Sequence, residues 1–198
     1  AVSVVANILN QFAYFALKKR AGVVGTALGR LVDKAPIHDV TRIHFVGHSF
    51  GARLVTAATA AMTARKPYSL TLLQGAFSHN AFGVKVYGDV NGAFRAVVAD
   101  RKVSGRIVVS HTWNDHAVGL LYAAASRVSG DVATAIVEVT PWFGGAQDIY
   151  GAMGANGPQK RKDGEVARAT YDGMAAPILA PGIHSLLCDF IDGHNDIR

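Results

Sequence analysis

A single cysteine, Cys188, leaves the chain with no partner for an internal disulfide, so nothing in it points to an oxidising compartment and a cytoplasmic location is expected. Charged residues are scarce, at 17% against 50% hydrophobic, which excludes a disordered, highly charged chain and predicts a compact domain. There is no uninterrupted apolar run long enough to span a bilayer. The apolar opening, residues 1–17, is broken by Asn7, Asn10 and Gln11 and has its charges after it rather than before it, so it reads as a helix and not as a signal or anchor, and no stable membrane insertion is expected. Acidic residues are outnumbered, 14 to 20, for a net charge of +6. The basic residues are scattered, with short runs only at Lys18-Lys19-Arg20 and Lys160-Arg161-Lys162, which predicts solvated faces and no nucleic-acid partner.

What is present is a pattern. Residues 43–46 are β-branched and aromatic, Gly47-His48-Ser49-Phe50-Gly51 follows, and 52–64 is alanine-rich with Leu54, Val55 and Met62 for packing. A buried strand, a tight turn and a helix is the context in which Gly-x-Ser-x-Gly is a nucleophile elbow. Gly47 and Gly51 are expected to be required there, because Cβ atoms would crowd the turn and the helix leaving it. The plainer alternative makes Ser49 a helix N-cap whose hydroxyl bonds a backbone N–H.

Further along, 69–75, 106–112 and 182–191 read as three more buried strands, with a modest helix over 93–100 and another over 117–128. Upstream, Val5, Ile8, Phe12, Phe15, Val24, Leu28 and Leu31 carry a helical stripe, Gly25 and Gly29 invite close approach by another element, and Pro36 ends the segment. Residues 141–181 are Gly-rich and read as an irregular insertion or lid-like loop. Alternating strands and helices predict one α/β domain over 1–198 with a mainly parallel sheet of about four strands.

Such sheets put chemistry just past the carboxyl ends of their strands. Ser49, Asp115 and His194 each sit there, in the chain order Ser, Asp, His. A serine hydroxyl needs a neutral imidazole to take its proton, and the imidazole needs a carboxylate to hold its tautomer. Asp89 and Asp148 are alternative acids. His184, inside a strand, reads as a packing histidine. His111 and His116 flank Asp115 but lack ligand spacing, so no metal and no cofactor is expected. His48, Phe77, Trp113 and Trp142 are candidate pocket residues, with Phe82 and Phe143 adding apolar surface.

These strings resemble α/β-hydrolase-fold serine hydrolases. Gly47-His48-Ser49-Phe50-Gly51 resembles that family's elbow, and the stretches His111-Thr112-Trp113-Asn114-Asp115-His116-Ala117-Val118-Gly119 and Gly193-His194-Asn195-Asp196-Ile197 resemble uncharacterised bacterial predicted hydrolases. The resemblance implies an ester, thioester or amide cleaved through acyl-Ser49, with a small-molecule acyl substrate and the Phe50 N–H as one oxyanion donor. It also implies strands ahead of the elbow and a second donor from them. The chain is therefore expected to be the C-terminal portion of such a domain, truncated at both ends and partnered by its own N-terminal part. A non-catalytic binding or scaffold module of the same fold is the alternative function.

Overall fold

The computed structural model describes residues 2–36, 42–115, 119, 122, 123, 144–174 and 179–196, with side chains from residue 16 onward. Within these, α1 is Val2–Lys34, β1 His44–His48, α2 Phe50–Ala61, β2 Ser69–Leu73, α3 Arg95–Ala99, β3 Arg106–His111, α4 Met153–Asn156, β4 Val166–Thr170 and β5 Gly182–Leu187. All five strands are parallel, in the order β1-β2-β3-β5-β4.

Register explains the core. Phe45, Leu70, Ile107, Ile183 and Val166 are partners in one row across the whole sheet, and α2 lays Ala52, Val55 and Ala58 over that face. Two residues further along the strands the row reads Gly47, Leu72, Val109, Ser185, Arg168. The face is therefore apolar at the N-terminal end and turns polar on the β5–β4 side as the strands approach their carboxyl ends.

α1 packs along α2. A Cβ on Gly25 would meet the Leu54 carbonyl and one on Gly29 the Ala58 carbonyl, so the expected close approach is made, backbone to backbone. Asp33, at the end of α1, accepts from the N–H groups of Thr63, Ala64 and Arg65 and from the Thr63 hydroxyl. One carboxylate thereby fixes the turn that follows α2. Its own burial opposes ionisation, yet these bonds outweigh it and hold the carboxyl down at about 2. No helix among the described residues is long and apolar enough to cross a membrane.

Two expectations are corrected. The sheet has a fifth strand, β4, inside the segment read as irregular. Its burial is confined to one half-buried residue at its start, and among the described residues β5 is its one strand neighbour, so it lacks the apolar run that marks a buried strand. Gly51 also proves unconstrained: a Cβ there would meet nothing within 4 Å, whereas one on Gly47 would run into the Gly51 carbonyl and the Ala52 nitrogen. Most of the helix expected over 117–128 lies outside the described residues.

Candidate active site

Ser49 occupies the turn between β1 and α2 with φ 56° and ψ −122°, a conformation costly for a residue with a Cβ. It is held there from both sides. The Ser49 N–H donates to Leu73 O at 3.0 Å, and its carbonyl accepts from Ala76 N–H at 3.0 Å and Ala52 N–H at 3.2 Å. Its side chain makes no capping bond to α2, which sets aside the plain N-cap reading.

The hydroxyl has another partner. Ser49 Oγ lies 2.8 Å from His194 Nε2, and His194 Nδ1 lies 2.9 Å from Asp115 Oδ2. A carboxylate only accepts, so Nδ1 carries the proton, and Nε2 is left as the acceptor for the Ser49 O–H. The Asp115 side chain is fully buried and that of His194 is 19% exposed. The acid is thus shielded from water while the imidazole edge is reachable.

Side chain to backbone bonds join the two loops that bring these residues in. Asn114 Nδ2 donates to Ile191 O at 3.0 Å and to Asp189 O at 3.2 Å, and Thr112 Oγ1 donates to Ile191 O at 3.4 Å. The loop carrying the carboxylate is therefore stitched to the one carrying the imidazole. His48, the last residue of β1, contributes from the other side: its Nε2–H donates to His194 O at 2.7 Å, and the two rings are tilted with centroids 4.8 Å apart.

Behind the site, segments 74–83 and 144–160 are knitted together. Met153 N–H donates to Phe77 O, Gly154 N–H to Gly75 O, His79 N–H to Gly151 O and Gln159 N–H to His79 O. Gln74, His79, Asn80 and Asn156 are buried in this layer. Burial drives the His79 imidazole down to about 4. Burial, reinforced by the Arg168 charge, does the same to His111. Both are neutral at physiological pH.

The remaining sequence candidates fall elsewhere. Phe77 is fully buried in the main core, edge-to-face with Phe82 and Phe94, so it packs in the core. The same holds for Phe82. Asp89 is solvent-exposed beside Lys85. Asp148 accepts from the N–H groups of Gly144 and Tyr150 and anchors a turn. His184 bonds Ala180 O. Trp113 is 60% exposed at the rim of a cavity bounded by His111 and Asn156. Trp142, Phe143 and His116 lie outside the described residues. No three His, Cys, Asp or Glu side chains converge as metal ligands among the described residues. Sequence reasoning missed Thr112 and Asn114; the bond from Asn114 N–H to Thr112 Oγ1 is the kind of local turn signal that could have found them.

Compared with known proteins, the chain matches no family model, no curated protein and no solved structure.

Proposed function

We propose that the chain carries the catalytic centre of a serine hydrolase that cleaves an ester, thioester or amide through an acyl-Ser49 intermediate. The observation that carries the reading is the unbroken line Ser49 Oγ, His194 Nε2, His194 Nδ1, Asp115 Oδ2, with contacts of 2.8 and 2.9 Å, on a serine whose side chain caps nothing. The resemblance to α/β-hydrolases leads to the same three residues.

In this mechanism Ser49 Oγ attacks the substrate carbonyl as its proton passes to His194 Nε2. Buried Asp115 stabilises the resulting imidazolium. The Phe50 N–H, at the start of α2, donates a hydrogen bond to the developing oxyanion, helped by the positive end of the helix. Collapse expels the alcohol, thiol or amine, which takes the proton from His194. Water, deprotonated by the same imidazole, then releases the acid and restores Ser49.

A fluorophosphonate probe tests the reading, because it reacts only with a serine activated in this way. Labelling that disappears in Ser49→Ala and in His194→Ala supports it. A folded protein that takes no label favours the non-catalytic binding module instead.

A further inference from the structure

The sheet face that turns polar on its β5–β4 side opens into a cavity of about 410 Å³. Its floor is made by Ser185, 2% exposed, and His111, 9% exposed; Arg168 and Thr170 enter from the edge strand β4, and Trp113 stands at the rim. Its geometry relative to Ser49 follows from register. His48 is level with Leu73 and Leu73 with Ser110, so Ser49 and His111, one residue further on, sit at the same height at the carboxyl ends. Two strand spacings separate them, about 10 Å.

The electrostatics of the cavity are simple. Among the described residues that line it, Arg168 is the only one with a formal charge. Among the described residues its side-chain hydrogen bonding is a long 3.4 Å contact to Gln159 Oε1, and no carboxylate pairs with it. His111 is neutral, for the reasons given above, and among the described residues its buried Nδ1 has no hydrogen-bond partner. From the described residues the cavity therefore offers one guanidinium, two hydroxyls and an imidazole, with the largely exposed Trp113 also lining it. A planar fork of N–H donors suits a carboxylate, and a single cation matches a monoanion better than a doubly charged phosphate.

We propose that this cavity holds a terminal carboxylate of the substrate, so that the enzyme acts on the free-acid half-esters of dicarboxylic acids, with Arg168 binding the carboxylate and Trp113 covering the hydrocarbon that leads to Ser49. This rests on the serine hydrolase reading. Arg168 enters from β4, four strand spacings or about 19 Å from β1; its own side chain covers about 7 Å of that, and an acyl chain of about eight carbons, with the Ser49 side chain and the hydrogen bond to the guanidinium, covers the rest.

The test compares two p-nitrophenyl esters of equal length, the hemisuberate and the octanoate, which differ in the terminal charge. The wild-type protein is expected to favour the hemisuberate in kcat/KM. In Arg168→Gln that preference falls about tenfold or more, while octanoate turnover changes less than about twofold. Arg168 is solvent-exposed on β4, so the variant keeps its fold. In parallel, suberate is titrated calorimetrically into Ser49→Ala protein, with saturable binding expected that Arg168→Gln abolishes. An unchanged ester ratio, or no binding of suberate, overturns the proposal. Suberate binding by a protein whose Ser49 takes no fluorophosphonate would overturn the hydrolase reading alone.

Discussion

Acid should unfold this protein early, through two histidines that do no chemistry. His79 and His111 are held at about 4 in the folded chain against 6.5 for a free imidazole, in each case chiefly by burial. The unfolded chain thus binds protons below pH 6.5 that the folded chain refuses until about pH 4, so stability falls as pH drops through that window. Between pH 7 and pH 5 each group costs about 2 kcal/mol, and the two together about 4 kcal/mol. That is a large share of the 5–15 kcal/mol that holds a typical domain together. Carboxylates do not confuse the window. Asp33 and Glu165 have lowered values, so their contribution is lost only at more acidic pH, as it falls through their folded values. Urea unfolding followed by circular dichroism at pH 7 and pH 5 is the assay, and a loss of about 4 kcal/mol corresponds to a midpoint lower by roughly 2 M. His79→Gln should reduce the starting stability yet halve the pH dependence. A midpoint that stays put between pH 7 and pH 5 would refute the reasoning, since it would mean that the two rings are charged or solvated in the folded state.

Asp115→Asn should lower kcat by about 10³ to 10⁴ with KM little changed, because the amide no longer fixes the Nδ1–H tautomer or balances the imidazolium. Turnover of p-nitrophenyl acetate measures this, and a loss of under tenfold would remove Asp115 from the mechanism. Gly47→Ala and Gly51→Ala form a matched pair. The first drives a Cβ into the backbone of α2 and should destabilise by about 1–3 kcal/mol or more. The second adds a Cβ in open space within α2 and should be neutral or stabilising by up to about 1 kcal/mol. Equal urea midpoints for the two would show that the elbow is not as tight as its geometry.

The strands that reach the site were legible because each carries a short apolar, mostly β-branched or leucine segment bounded by turn residues: Phe45 and Val46 in β1, Leu70, Leu72 and Leu73 in β2, Ile107, Val108 and Val109 in β3, and Ile183, Leu186 and Leu187 in β5. Their ends then located Ser49, Asp115 and His194 without knowledge of any contact between them. β4 had no such signal. Val166-Ala167-Arg168-Ala169-Thr170 is short, mostly exposed and centred on an arginine, and it becomes a strand only because β5 offers it an edge. Gly47 and Gly51 show the limit of motif reasoning: both match the elbow pattern, yet only the first is pressed against backbone.

Phe77 and Phe82 show why the pocket was harder to read than the catalytic line. Aromatics in a loop look like lining because loops lie on surfaces, but this loop is drawn inward by hydrogen bonds to 144–160, about seventy residues away. Pairings of that range leave no local periodicity. The same is true of the bonds from Asn114 and Thr112 to Ile191 O, which span 77 and 79 residues. Strand ends bring the carboxylate and the imidazole to the same edge of the sheet, but an edge fixes position only to within a loop's reach. Bringing Nδ1 to within 2.9 Å of Oδ2 falls to these cross-loop bonds and to the one from His48 to the His194 carbonyl. The residue types that do chemistry announce themselves in sequence, whereas those that hold them in line are ordinary polar side chains whose role exists only once the chain has folded.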